Sequence, residues 1–507
     1  MKDDLRWLVQ ELRSLAGDLS DAPREHLLLA IDQGGHASRV IAFDARGAHC
    51  AESFTPISTF RSGTDRIEHD PVEIVESIRT ALDDLAQTLG SDAERVVAAG
   101  LATQRSSIVC WDKRSGKPLS PVLSWQDRRN AGLVERMRDQ AASVRAQTGL
   151  VLSPHYGASK LRWCLDEIAA VRSARDHKRL ALGPLSSYLL YSLLEEHPFA
   201  VDPANASRTQ LWDPHTRTWS AALAALFGVP VDLLPSPTNT RHLFGQFPFA
   251  GKQVPLVVCT GDQSAAPFAF GSMDPTTIYI NMGTGAFVQR MSDADDERLL
   301  RSVSYSDEER LVVTQEGTVN GAAAAIEWLN ERVGIDAHRA ALALRRSSAH
   351  RNPPIFINGV GGVGSPYWKS DLASYFVGAS SEAGQAQAVV ESIAFLICRN
   401  LERMQQSSAQ RVLASGGLSS SDYLCECIAA LSSLRVERAS VREATALGLA
   451  FLIAGQPAQW QPQTALETFS PVPDAELSDR YARWCQMMGD VQEPESSHKE
   501  HKEHRRE

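Results

Sequence analysis

The sequence predicts an α/β protein built from two similar halves that face each other across a cleft. Three observations predict it. At 507 residues the chain exceeds a single hydrophobic core and is sized for two or three domains. A strand, glycine turn, strand pattern occurs at 27–44 and returns at 277–291. A strand ending in a glycine-containing polar tip occurs at 96–105 and again at 411–418. Residues 261–274 are then the crossing point between the halves.

Taken in order, residues 3–16 place Leu5, Leu8, Val9, Leu12 and Leu15 at helical spacing, an N-terminal extension ended by Gly17 and Pro23. Leu27–Ile31 is an apolar run broken by Asp32-Gln33-Gly34-Gly35, and Arg39–Asp44 alternates again. This predicts a hairpin whose turn carries an acid and two glycines. Such a turn can face backbone N–H groups to an anion while the acid holds a cation; a plain polar loop is the alternative. Pro71–Leu89 has helical spacing, and Glu94–Thr103, Ser107–Asp112 and Val122–Trp125 read as strands. Arg105, Trp125 and Asp127 therefore stand where strands end, which is where open α/β sheets hold ligands. Ser159–Ile168 and Ala174–Leu194 read as helical, Pro198–Trp219 as loop-rich, Ala221–Leu226 as a short helix, and Pro235–Pro255 as a long turn-rich connection.

Leu256–Phe287 is the most informative stretch. An apolar run stops at Gly261-Asp262-Gln263, and a second, Thr277–Met282, stops at Gly283-Thr284-Gly285. Two strands thus deliver an acidic tip and a glycine tip, a pairing suited to phosphoryl transfer and equally common in ordinary loops. Beyond it, Val288–Met291 and Pro354–Asn358 read as strands, and 316–328 as Gly/Ala-rich and then helical. Gly384–Met404 reads as a long helix, Arg411–Ser415 as a strand closing on Gly416-Gly417, and Ser421–Leu434 and Ala444–Ile453 as helices. The charged tail at 493–507, with His498, His501 and His504, reads as disordered.

Composition narrows the function classes. Apolar content of 43% and charged content of 22% are those of a globular chain. A net charge of −10 without an early basic block weighs against nucleic acid as a partner. No apolar run reaches the roughly 18 residues of a membrane span. The eight cysteines are scattered without a C-x-x-C pair, which suits reduced thiols and a cytoplasmic location. The phosphate-loop signature is missing, since Gly245…Gly251-Lys252 has the wrong spacing. Gly359-x-Gly361-x-x-Gly364 matches a dinucleotide pattern but runs into Ser365-Pro366 instead of a helix.

Ordered motifs resemble the FGGY carbohydrate kinases, and within them the glycerol kinase branch. They are Asp32-Gln33-Gly34, Glu68-His69-Asp70-Pro71, Thr103-Gln104-Arg105, Trp125-Gln126-Asp127-Arg128-Arg129, Lys160-Leu161-x-Trp163, Gly261-Asp262-Gln263, Gly283-Thr284-Gly285, Gly364-Ser365-Pro366-Tyr367-Trp368, Gly416-Gly417 and Glu443-x-Thr445-Ala446-Leu447-Gly448, spanning about residues 27 to 460. The resemblance implies two actin-like, ribonuclease H-like ATPase domains flanking a nucleotide cleft. It implies transfer of the ATP γ-phosphoryl group to a primary hydroxyl of a small polyol or sugar, with Mg²⁺. Asp262 would be the general base, and Asp32 with Asp262 would hold Mg²⁺ through water. Gly34, Gly35, His36 and Arg39 would approach the phosphates from one half, and Gly283 and Thr284 from the other. Gly416, Gly417 and Ser421 would flank the adenine and ribose. Arg105, Ser106, His155 and Gln263 would meet acceptor hydroxyls, and Trp125 and Phe287 its carbon chain.

Departures from the branch's usual residues concentrate at a few positions. Ser106 stands for Glu, His155 for Tyr, Gly35-His36-Ala37 for a hydroxyl-rich turn, Ser421 for Asn, and Ala323 and Glu327 for Gly and Gln. They keep two alternatives open, a kinase for another polyol or ketose and a degraded nucleotide-binding regulator. The expected organisation is an extension at 1–25, an acceptor-side domain at 26–265, a nucleotide-side domain at 266–470, and a helix with a charged tail at 471–507. Homodimer and homotetramer are both open.

Overall fold

In a computed structural model, residues 26–490 are described, apart from 64, 334–343, 346–348, 350–351, 380, 405–408, 440–442, 458–459 and 461–465. The expected helix at 3–16 and the tail at 493–507 lie outside the described residues.

Each half is built on one sheet, and the two sheets share a topology. In the first half, β1 (Leu27–Gln33) pairs antiparallel with β2 (Ala37–Asp44), which pairs antiparallel with β3 (His49–Pro56). Helix α1 (Pro71–Leu89) packs on this hairpin; Asp70 caps it by accepting from the Val72 amide at 2.8 Å, and Pro71 opens its first turn. β4 (Val96–Thr103) then returns parallel to β1. A side layer follows, with β5 (Ile108–Asp112), β6 (Val122–Leu123), α2 (Gly157–Glu167), β7 (Leu180–Pro184) and α3 (Pro203–Ser207). β8 (Arg241–Phe249) and β9 (Lys252–Gly261) complete the main sheet, whose order is β8-β9-β4-β1-β2-β3.

The chain crosses over through the short helix α4 (Asp262–Ala265) and a 3₁₀ turn, Ala266–Phe270. The second half repeats the plan. β10 (Thr277–Met282) pairs antiparallel with β11 (Ala286–Met291); β12 (Leu300–Ser306) and β13 (Leu311–Val319) extend that side. After α5 (Ala323–Val333) and α6 (Glu382–Met404), β14 (Arg411–Ser415) returns parallel to β10. β15 (Arg435–Ala439) pairs with β14 and β16 (Leu466–Phe469) with β15, with α7 (Asp422–Ser432) between β14 and β15 in the chain. Helix α8 (Ala444–Ile453) precedes β16, and α9 (Ala475–Asp490) follows it. β1, β2 and β4 thus correspond to β10, β11 and β14, the repeat visible in the sequence.

The crossing is reciprocal. All ten residues of α8 are buried, and Leu449, Ala450 and Ile453 join Leu28, Ala30, Ala98 and Val258 of the first sheet in one core. A helix apolar on every side needs cover on every side. Two glycines admit it. A Cβ on Gly100 of β4 would meet Leu449 Cδ1 at 2.9 Å, and one on Gly448 would meet the Ala265 carbonyl at 2.0 Å.

Several elements differ from the sequence expectation. Ala174–Leu194 is not continuous helix, because β7 interrupts it and pairs antiparallel with β5. Its run Leu-Ala-Leu-Gly-Pro is buried throughout, and an apolar run covered on all sides carries no period that separates strand from helix. The connection at 235–255 holds β8 and the start of β9; Pro248 within β8 is tolerated because β8 is the sheet edge. The hairpin β12–β13 was not foreseen. Asp32 and Gln33 belong to the β1 ladder, where Asp32 faces Arg39 and Ala102, so the turn is only Gly34–His36. Pairing on both sides carries the strand through its polar end.

Candidate active site

Strand register gathers the site. Gln33 pairs with Thr103, and Thr103 pairs with Gly261. The residues that follow each of these, Gly34, Gln104-Arg105 and Asp262, emerge together at one edge of the first sheet, beside Asp32. In the second sheet Asn281 pairs with Ser415, so Gly283 and Gly416 emerge side by side. A Cβ on Gly416, at φ 86°, would fall 2.5 Å from the Met282 carbonyl. Only glycine permits both that φ and that approach.

The two glycine turns are built alike. The Gly34 amide donates to the Ala37 carbonyl at 2.9 Å, and the Gly283 amide donates to the Gly285 carbonyl at 2.9 Å. The Gly35, His36 and Thr284 amides have no acceptor among the described residues. His36, Gly283, Thr284 and Gly417 are exposed. Ser421 differs from its expected place: it is fully buried, and its hydroxyl caps α7 by accepting from the Leu424 amide. The hydroxyl satisfies one of the amides that a helix start leaves without an intrahelical partner.

Asp262 begins α4, and burial raises its pKa despite the neighbouring Arg105. Arg105 Nε lies 3.9 Å from Asp262 Oδ1. Asp32 is pushed up to about 8 by burial and then by the Asp262 and Glu443 carboxylates, against the pull of Arg39. Arg39 is ion-paired to Glu443. Gln263 Oε1 accepts from Asn281 Nδ2 at 2.9 Å, and the Gln263 carbonyl accepts from Gln289 Nε2 at 3.0 Å, so this residue bridges toward the second sheet. Phe287 lies under the Arg105 guanidinium, 5.7 Å from ring centre to carbon.

The remaining residues expected on the acceptor side form a knitted wall. Ser106 has φ 67°, and its carbonyl accepts from Lys160 Nζ at 3.0 Å. Lys160 is fully buried and also donates to the Ser124 carbonyl at 2.7 Å; burial lowers its pKa to about 7. His155 Nδ1 lies 3.1 Å from the Trp125 carbonyl. A carbonyl only accepts, so Nδ1 carries the hydrogen and Nε2 is left as an acceptor. Burial, reinforced by Lys160, lowers His155 to about 4, so the ring is neutral near pH 7. The Gly34–His36 turn reaches this wall, since a Cβ on Gly35 would stand 4.0 Å from Trp125 Nε1.

Sequence reasoning assigned no role to Glu316, Arg208, Gln289, Lys160 or Glu443, all of which the structure brings here. Lys160 and Glu443 stood inside quoted motifs. The available signal for Glu316 was one acid in the otherwise uncharged stretch Leu311–Val319.

The chain's relatives agree with this architecture. Residues 27–269 match the N-terminal domain of the FGGY family of carbohydrate kinases, and residues 278–455 match its C-terminal domain. A glycerol kinase of Roseobacter denitrificans is 31% identical over 489 residues, which cover 90% of this chain and 97% of the relative. One from Rhodospirillum centenum is 33% identical over 439 residues, covering 84% and 88%. Among solved structures, Plasmodium falciparum glycerol kinase with ADP superposes with a TM-score of 0.80 at 20% identity, covering 93% of this chain and 99% of that one. Ligand-bound xylulose kinase from Lactobacillus acidophilus gives 0.79 at 17%, covering 92% and 98%. These two structures speak for the fold, which is that of two-domain sugar kinases. The chain belongs to the FGGY family of carbohydrate kinases and is a phosphotransferase that uses ATP on an alcohol group of a small carbohydrate.

Proposed function

We propose that the chain phosphorylates a primary hydroxyl of a small polyol, in the manner of a glycerol kinase, with Asp262 as general base. The observation that carries this reading is the placement of Asp262 at the start of α4, beside Arg105 and at the strand ends where the Gly34–His36 turn emerges, with the adjacent Gln263 hydrogen-bonded to Asn281 of the second sheet. Its raised pKa makes it a stronger base than a solvated carboxylate. As the acceptor oxygen attacks the γ-phosphorus, its proton passes to Asp262. The new O–P bond forms, the bond to the β-phosphate oxygen breaks, and ADP leaves. The transition state of such a transfer is loose, so positioning outweighs basicity.

On this reading Arg105 and Gln263 hold acceptor hydroxyls, while Trp125 and Phe287 cover carbon. The free amides of Gly35, His36 and Thr284 meet the phosphates, even though hydroxyl side chains are missing from the first turn. Gly416 and Gly417 lie along the nucleoside. Asp32 and Asp262 would hold Mg²⁺. Their fit is the mutual repulsion of two half-buried carboxylates in an all-oxygen donor set. Among the described residues no three His, Cys, Asp or Glu side chains form a metal site. When bound, the ion neutralises charge on the phosphates.

Ser106 and His155 are where acceptor identity is set. A panel of polyols and ketoses with coupled ADP detection tests the reading. Turnover of at least one small polyol, abolished in Asp262→Ala, is expected. No turnover of any acceptor, or full turnover by Asp262→Ala, refutes it.

A further inference from the structure

Glu316 lies in β13 of the second half and is fully buried. It accepts from Arg105 Nη1 at 2.9 Å and Nη2 at 3.1 Å, from Arg208 Nη2 at 2.8 Å and from Gln289 Nε2 at 3.0 Å. Both arginines come from the first half, Arg105 from the tip of β4 and Arg208 from the end of α3. The two-point grip on Arg105 fixes the plane of its guanidinium as well as its position. Arg105 reaches Glu316 across Gly261, where a Cβ would come within 2.4 Å of Arg105 Cγ. Of the five guanidinium N–H groups, Glu316 takes two. Three remain, and Nε is the nitrogen nearest Asp262.

We propose that Glu316 is a positioning residue: it holds Arg105 from the opposite half in the orientation that offers its remaining N–H groups beside Asp262. The acceptor site is therefore complete only when the halves are docked. This rests on the roles given above to Arg105 and Asp262. Burial alone would raise the Glu316 carboxyl, but Arg105 and Arg208 outweigh it and hold it at about 2, so the cluster stays ionised through the working range. Parting the halves would break the hydrogen bonds that Arg105 and Arg208 donate to Glu316. Arg208, which also donates to the Ser302 hydroxyl, is a second anchor for Glu316 from the first half.

Glu316→Asp keeps the charge and shortens the reach by one methylene. Its acceptor KM should rise ~10-fold or more while the ATP KM stays within about twofold. Combined with Arg105→Lys, its effect should be strongly less than additive, because each change removes what the other depends on. Arg208→Lys loosens Glu316 without touching Arg105, and should move the acceptor KM the same way by about threefold. If Glu316→Asp does not fold, Arg208→Lys carries the test. An unchanged acceptor KM, equal rises in both KM values, or additive effects would overturn the proposal. Failure of the wild-type protein to phosphorylate any polyol would instead overturn the proposed function.

Discussion

Gly448→Ala tests whether the crossing of α8 and α4 sets the position of Asp262. A methyl group there would begin 2.0 Å from the Ala265 carbonyl oxygen. Carbon and carbonyl oxygen need roughly 3.3–3.6 Å, so the two helices must part by more than an ångström. The obstacle is backbone, which cannot rotate aside as a side chain could. Asp262 stands on the same single turn as Ala265, and its own carbonyl accepts from Thr445 Oγ1 of α8 at 3.3 Å. The displacement therefore reaches the carboxylate. A 1 Å misplacement in an active site costs on the order of 100-fold, or about 2.7 kcal/mol of activation free energy. Overpacking should cost a further 1–3 kcal/mol or so of stability. The assay is kcat at saturating ATP and acceptor, with melting temperature beside it. Gly489→Ala is the control, because a Cβ there meets nothing within 4 Å. A Gly448→Ala protein with wild-type kcat would refute the reasoning, whatever its stability.

Other outcomes follow from the same geometry. Ser106→Glu with His155→Tyr should raise kcat/KM for glycerol at least ~10-fold; no change would show that acceptor choice is set elsewhere. His155 is held at about 4 against its ordinary 6.5, so between those values the unfolded chain binds more protons than the native one. Stability then falls as pH drops through that window, by up to ~1.4 kcal/mol per pH unit. His155→Gln should flatten that part of the curve in denaturant titrations, and an unaltered slope would contradict the assigned burial. Asp32→Asn should raise the Mg²⁺ concentration for half-maximal rate about 10-fold or more. The same change should also raise the melting temperature without Mg²⁺, since it removes a repelled carboxylate; a lower one would count against the repulsion.

The repeated strand, glycine turn, strand pattern was legible because strands that end at a ligand edge carry their glycines and acids at fixed offsets. Thr277–Met282, Arg411–Ser415 and Ala444–Ile453 stand at the bounds their composition predicts. Asp262, Arg105, Gln263 and Phe287 could be picked out in sequence, and the structure brings them together. What could not be read were partners supplied by tertiary contact. Nothing local to Glu316 says that it meets two arginines from the other half. Nothing local to Lys160 says that its ammonium is sealed against two carbonyls. For Ser421 the reason is the opposite one, because a cap residue and a ligand-facing residue share the same hydroxyl, and only tertiary structure shows that it caps α7.

The placement of α8 also governs how the polypeptide can become folded. A chain released only as far as the end of β9 holds every strand of its first sheet, yet lacks the helix that covers one face of it. Synthesis therefore leaves Leu28, Ala30 and Val258 waiting for residues near the far end of the molecule. Contacts this distant in sequence slow folding and expose apolar surface meanwhile. The halves, though twins in topology, share one core through α8. A fragment cut between them should be sticky in isolation, and should regain compactness when the complementary fragment returns α8.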